Sequence, residues 1–291
     1  MKAAVTGASG FIGRKIMEKA KGQLTVVGLT RSLPEQDTAE GCIWRETDYS
    51  VESLKEVLQD VDAVIHLAAI RGTGGRITDY HENEVILENI LLAMKECGVK
   101  HMIFASSIAV YSDIGAIPWT EEMALTPKTL YGVSKAACEH LCMYYGKRDH
   151  IDCTIFRIAQ VLGLGEKRKG MMNVFIDRAD RGEQLKVQGK SLAKRQYIYV
   201  DDLAEAFVKA ALCGKGQGIL NIGMEEGCTN LEIAECINRV FANPSGIEYD
   251  DSFAETIEPS CMTCGRLHES LQVYPRSMEE AMNDIREVIR G

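Results

Sequence analysis

No run of about eighteen apolar residues is present, so no helix of this chain is expected to span a bilayer. No separate apolar leader stands at the start: Met1-Lys2-Ala3-Ala4-Val5 passes directly into a strand-like run and a glycine loop. Internal repeats and low-complexity linkers are missing too. Positive charge is in deficit, with 33 Lys and Arg against 42 Asp and Glu, a net charge of −9. A surface of that sign repels nucleic acid and anionic lipid, so neither nucleic acid nor membrane is expected as a partner. A ligand that carries phosphate must then be held by a local positive pocket.

Ten cysteines are many for a chain expected to carry no secretory leader. Scattered through helix and strand patterns, they read as reduced small hydrophobes of a cytoplasmic protein. Cys138 and Cys142, four apart, share one helical face and suit packing. Cys261 and Cys264, with His268 beyond, look like part of a zinc site. A structural zinc takes four ligands and no second close pair follows, so free thiols and no metal are expected.

What is present is an α/β alternation across 291 residues, 46% hydrophobic and 26% charged. Apolar runs at 2–6, 24–29, 42–48, 63–67, 101–105 and 153–156 alternate with helical spacing near 11–21, 51–58, 85–98 and 131–146. Each strand is a continuous apolar run, which belongs to a parallel sheet covered on both faces. Right-handed crossovers then wind a Rossmann-type, doubly wound parallel sheet. After residue 158 the pattern loosens. Residues 1–158, with 196–222 returning to the sheet, are expected to hold a dinucleotide. Residues 159–195 and 223–291 form a smaller C-terminal substrate lobe.

Gly7, Gly10 and Gly13 follow a strand and open a helix, the context that gives such glycines meaning. They permit a tight turn, close approach of a pyrophosphate, and helix–strand packing. With Ser9, Phe11 and Ile12 they form the expected phosphate grip at a helix N-terminus. An acid about twenty residues further on would select NAD by bonding the ribose 2′-hydroxyl. Here Leu29-Thr30-Arg31-Ser32 stands instead, and Arg31 with Ser32 suits a 2′-phosphate. NADP(H) is therefore expected to bind at least as well as NAD(H), although Arg31 has the alternative of covering adenine or facing solvent. Asp48 either accepts from the adenine amino group or caps the helix near Ser50.

Tyr131 and Lys135 lie four apart at the start of a helix and project from one face. A phenol ordinarily ionises near 10, too high for a base at neutral pH. A neighbouring ammonium and a cationic nicotinamide favour the phenolate. Ser106 and Ser107 end the fifth strand, at the sheet edge where ligands bind.

Four segments together carry a resemblance to the extended short-chain dehydrogenase/reductases. They are Thr6-Gly7-x-x-Gly10-x-x-Gly13, His66-Leu67-Ala68-Ala69, Ser106-Ser107-x-x-Val110-Tyr111 and Tyr131-Gly132-x-Ser134-Lys135. Arg195-Gln196-Tyr197-Ile198-Tyr199-Val200-Asp201-Asp202 resembles the second-lobe signature of nucleotide-sugar epimerases and dehydratases. Nearly the whole chain is covered, and it resembles the bacterial UDP-N-acetylglucosamine and UDP-galactose 4-epimerases. That resemblance implies Tyr131 as base and acid on the sugar 4-hydroxyl, with Ser107 on the same oxygen. Lys135 would hold the nicotinamide ribose, Leu67, Ala68 and Ala69 would line the cofactor, and Asn173 and Arg195 would contact the nucleotide diphosphate.

Two departures bear on the reaction. Gln160 stands where the family often has Asn, and Ile108-Ala109 replaces the Asp-Glu pair of 4,6-dehydratases, so dehydration is rejected. The expected activity is a nucleotide-sugar 4-epimerase using NAD or NADP. An NADPH-dependent reductase of a 4-keto sugar is the alternative, and a non-catalytic NADP-binding sensor is a third, disfavoured by the presence of both Tyr131 and Lys135. A homodimer through helices near 80–97 and 131–146 is also implied.

Overall fold

A computed structural model describes residues 1–33, 42–72, 74–166, 170–254 and 257–291. The apolar runs become strands, and the amphipathic stretches between them become helices with one buried stripe. In chain order these are β1 (Lys2–Thr6), α1 (Phe11–Ala20), β2 (Thr25–Thr30), β3 (Ile43–Glu46), α2 (Val51–Leu58), β4 (Ala63–His66), α3 (His81–Cys97) and β5 (His101–Ala105). There follow α4 (Leu130–Asp149), β6 (Asp152–Ile158), β7 (Gln160–Leu162), α5 (Met171–Asp180), β8 (Leu185–Gln188) and β9 (Tyr197–Tyr199). The rest is α6 (Val200–Cys213), β10 (Gly218–Ile222), α7 (Asn230–Val240), β11 (Ile247–Asp250), α8 (Gly265–Leu271) and α9 (Met278–Arg290).

Hydroxyl side chains start several of these helices. Ser50, Thr129, Thr229 and Ser277 accept backbone N–H groups at the N-termini of α2, α4, α7 and α9. Gly98 and Gly214 end α3 and α6 in the left-handed conformation, which costs glycine nothing sterically.

Seven strands form one parallel sheet in the order β10-β6-β5-β4-β1-β2-β3. Every residue of β4 and β5 is buried, as continuous apolar runs between two helical layers require. Ile16, Phe156, Leu203 and Phe207 fill one face, beneath α1 and α6. Leu54, Leu87, Met94 and Cys142 fill the other, beneath α2, α3 and α4. A third core of Phe175, Ile237, Phe241 and Ile285 joins α5, α7 and α9.

β1 pairs with both β2 and β4, so the strand order reverses between β1 and β4. That switch point opens a crevice at the carboxyl ends of the strands. Of the expected return over 196–222, only β10 enters the sheet, beside β6. β9 pairs with β7 in a separate two-stranded sheet, because it is three residues long and runs straight into α6. Among the described residues no helix is long and apolar enough to cross a membrane, and no group of three His, Cys, Asp or Glu could hold a metal. Cys138 and Cys142 are buried free thiols in the core under α4.

Candidate active site

The crevice begins at the glycine loop. Gly7 has φ +68, and a Cβ there would come within 3.1 Å of the Ala68 backbone nitrogen. At Gly13 a Cβ would meet the Ala8 Cα at 2.6 Å, so only glycine lets α1 seat this close to β1. Gly10 is the N-cap of α1 and supplies no side-chain hydrogen bond. The first-turn N–H groups at Phe11, Ile12 and Gly13 therefore have no capping side chain to compete with a phosphate.

Thr6 fastens this loop to the end of β4. Its Oγ1 accepts from Leu67 N and Ala68 N, both at 3.1 Å, and lies 2.8 Å from His66 Nδ1. With its lone pairs taken, the hydroxyl donates to Nδ1, which fixes His66 as the neutral Nε2–H tautomer. Burial, with the Lys135 charge adding to it, pushes the His66 pKa down to about 3.

Thr129 accepts from Gly132 N at 3.1 Å and starts α4, so Tyr131 falls on the first turn and Lys135 on the next. Lys135 is 2% exposed. Its Nζ donates to the Ala105 carbonyl at 2.7 Å and sits 5.9 Å from the Tyr131 ring centroid. An ammonium has three N–H groups, so capacity remains for ribose hydroxyls. Ser107 follows β5 and accepts from Ala109 N at 3.1 Å, leaving its own O–H to donate. Ser107, Tyr131 and Lys135 line one cavity of about 260 Å³ with Gly7, Gly10, Phe11, Ile12, Gly13, Leu67 and Ala69. Gln160 and Glu166 close it from the β7 side. A larger space of about 750 Å³ continues past Ser9, Arg14, Arg71 and Thr129. Burial raises the Glu166 carboxyl above its ordinary range, with the Arg71 charge opposing.

A buried polar network stands directly behind Ser107. Ser106 Oγ donates to Glu139. Arg157 binds the same carboxylate through Nε at 3.1 Å and Nη2 at 2.7 Å, and its Nη1 donates to the Tyr111 hydroxyl at 2.6 Å. The Tyr111 hydroxyl donates to Asn221 Oδ1 at 3.0 Å, linking β10 to the segment after β5. Each charge is paired inside the protein, as burial demands.

The other end of the crevice is a cavity of about 310 Å³ that includes Gly7, Ser9, Leu29, Arg31, Tyr49, Ala68 and Ala69. Glu82 and Asn83 of α3 complete it. Arg31, expected either to meet a 2′-phosphate or to cover adenine or face solvent, stands in an ion pair. Its guanidinium pairs with Glu82 and lies 5.7 Å from the Tyr49 ring centroid. The helix N-terminus of α3 thus brings back an acid that β2 lacks. Ser32 is exposed outside this lining, and its carbonyl accepts from Thr30 Oγ1 at 2.8 Å. Asp48 accepts from Ser50 N at 2.8 Å at the entry to α2 and lies outside this lining.

Asn173 is half-buried on α5 and lines none of these three cavities. Arg195 donates to Asn230 Oδ1 at 3.0 Å and makes no ion pair among the described residues. Its Nε is buried without a partner. Such an orphaned cationic donor is what an anionic ligand would satisfy. Sequence reasoning missed Tyr49, Arg71, Glu82 and Glu166. Thr129 was within its reach, as a cap residue two positions before Tyr131.

The residues present fit a dinucleotide: an uncapped helix start, a buried lysine beside the tyrosine, and a continuous crevice across the switch point. A profile of the NAD dependent epimerase/dehydratase family matches residues 3–223. The crystal structure of UDP-N-acetylglucosamine 4-epimerase from Bacillus cereus aligns with a TM-score of 0.91 at 35% identity, over 100% of both chains. The dTDP-4-dehydro-6-deoxyglucose reductase of Escherichia coli is 26% identical over 267 residues, 85% of this chain and 84% of its own length. The UDP-glucose 4-epimerase of Lactobacillus helveticus is 25% identical over 276 residues, 82% of each. On the length of the family match and the agreement of its motifs with the crevice, the chain belongs to the NAD dependent epimerase/dehydratase family.

Proposed function

We propose that the protein is a 4-epimerase of a UDP-hexose or UDP-N-acetylhexosamine. The observation that carries this reading is one cavity holding Ser107, Tyr131 and Lys135 beside the glycine loop, with apolar Ile108 and Ala109 where a dehydratase needs a carboxylate pair. A bound nicotinamide supplies the hydride acceptor and donor at C4. Tyr131 removes the proton of the sugar 4-hydroxyl and later returns it. Ser107 donates to that same oxygen and steadies its developing charge. Lys135, whose ammonium sits 5.9 Å from the Tyr131 ring centroid, holds the nicotinamide ribose.

The 4-keto sugar must turn over before hydride returns, so the nucleotide has to anchor it meanwhile. Arg195, with its unpartnered Nε, and Asn173 are the proposed anchors for the uridine diphosphate. In this reading residues 159–195 and 223–291 form the substrate lobe, and 1–158 with 196–222 hold the cofactor. A cytoplasmic homodimer follows from the same reading. Val85 of α3 and Val133, Met143 and Tyr144 of α4 are exposed apolar side chains that a second copy would cover.

The deciding experiment incubates the enzyme with UDP-glucose, UDP-galactose, UDP-N-acetylglucosamine or UDP-N-acetylgalactosamine and a catalytic amount of NAD. Anomeric-proton NMR should show one gluco/galacto pair reaching the same mixture from either side. Stoichiometric NADPH oxidation by a 4-keto sugar, with no interconversion of any pair, would establish a reductase instead.

A further inference from the structure

We infer that Glu82 sets the cofactor's ribose specificity, admitting NAD and excluding NADP by holding Arg31 in an ion pair. The inference rests on dinucleotide binding alone and is independent of the epimerase reading. β2 ends in Leu29-Thr30 and Arg31 follows it, with no acid in those positions to meet a ribose hydroxyl. Among the described residues that line the cavity at that end, Arg31 is the one cation and Glu82 the one acid. The pair joins them across 51 positions of sequence, and the Tyr49 ring backs the guanidinium from another side. Arg31 is thus neutralised where a 2′-phosphate would need it.

Glu82 is held in place by its neighbour. Asn83 Oδ1 accepts from Ile70 N at 2.7 Å, and its Nδ2 donates to the Ile70 carbonyl at 3.2 Å and to Ser134 Oγ at 3.2 Å. These bonds rivet the first turn of α3 to the loop after β4 and to α4. The ion pair runs through Glu82 Oε1, and Glu82 lines the cavity, where its carboxylate would accept from a ribose 2′-hydroxyl. A 2′-phosphate carries close to two negative charges and would meet that carboxylate as a like charge. Glu82 therefore acts as the missing acid of β2, delivered from a different element.

The test is titration of the full-length protein with NADH and with NADPH, followed by energy transfer from the protein to the nicotinamide. The wild type, Glu82→Gln, Arg31→Ala and the double variant are compared. An exposed ion pair adds little to folding stability, so all four should give the same thermal transition within a few degrees. The wild type should favour NADH at least tenfold. Glu82→Gln should tighten NADPH by roughly ten- to a hundredfold, the size of one charge-assisted bond gained, and weaken NADH severalfold. Arg31→Ala should leave NADH nearly unchanged, and the double variant should lose the gain in NADPH. A wild type that favours NADPH, or a Glu82→Gln variant with unchanged NADPH affinity, overturns the inference. Failure of the wild type to bind either nucleotide overturns it as well, by removing the dinucleotide site on which it rests.

Discussion

Gly132 separates the helix that carries Tyr131 and Lys135 from the turn that carries Ser107. A methyl group at Gly132 would fall deep inside contact distance of the Ala109 carbonyl oxygen. It would also lie 2.9 Å from Pro127 Cβ and 3.1 Å from the Ala109 carbonyl carbon. None of these is the free end of a flexible side chain, so backbone must move. Gly132→Ala should push the start of α4 away from residues 107–110, and with it Tyr131 away from Ser107. A misplacement of about 1 Å in a catalytic pair can lower turnover about a hundredfold. Overpacking of this kind also destabilises by roughly 1–3 kcal/mol. NADH affinity should change far less, because the phosphate grip belongs to β1 and α1. The assay is kcat for epimerisation beside a thermal melt and an NADH titration. A lowered melting temperature with kcat within threefold of wild type would refute the reasoning, since the strain would have relaxed without disturbing the Tyr131–Ser107 geometry.

Tyr131→Phe keeps the ring and deletes the proton acceptor, so turnover should fall at least about a hundredfold while cofactor affinity and melting temperature hold. Activity within tenfold of wild type would remove Tyr131 as the base. Arg195→Ala should weaken UDP binding, measured by calorimetry, by roughly ten- to a hundredfold and leave NADH binding alone. Unchanged UDP affinity would place that guanidinium elsewhere. His66 has a folded value near 3 against 6.5 when free, so its neutral form stabilises the fold above pH 6.5 and that contribution is lost as pH falls towards 3. Urea titrations should show up to about 1.4 kcal/mol lost per pH unit below 6.5, a slope that His66→Gln reduces by one proton; parallel pH profiles would refute the assignment.

The parts of the site that sequence made legible are those encoded within one turn or one loop. Gly7, Gly10 and Gly13 sit in a single strand–loop–helix unit, and Tyr131 and Lys135 are one helical turn apart. Their relation is local geometry, so spacing alone implied it. Arg31 shows where such inference ends. Its charge and position argued for a 2′-phosphate, but its partner lies 51 residues away on α3. No pattern near Glu82 marks it, because the meeting depends on how α3 packs beside β4. Asp48 was open between adenine and a helix start for a related reason: an acid before Ser50 satisfies both local rules. The departure of β9 from the main sheet was hidden because a three-residue apolar strand carries no mark of its neighbour.

The reach of the Ser106–Glu139–Arg157–Tyr111–Asn221 network explains how residues so distant in sequence are held around one cavity. Glu139 lies one turn beyond Lys135 on α4, so whatever positions Glu139 also fixes the rotation of the face that bears Tyr131 and Lys135. Arg157 grips that carboxylate from β6, and Ser106 grips it from the end of β5, immediately before Ser107. The two elements that present the hydroxyl groups are therefore tied to the same buried carboxylate. Tyr131 and Ser107, the proposed base and its partner, both inherit their placement from it. The residues that would alter the chemistry, Ile108, Ala109 and Gln160, line the cavity outside this network. Substitution there can redirect the fate of a keto sugar without loosening the proton-transfer geometry. In the proposed reading the same Ser107–Tyr131–Lys135 arrangement serves an epimerase or a reductase, according to what surrounds the sugar.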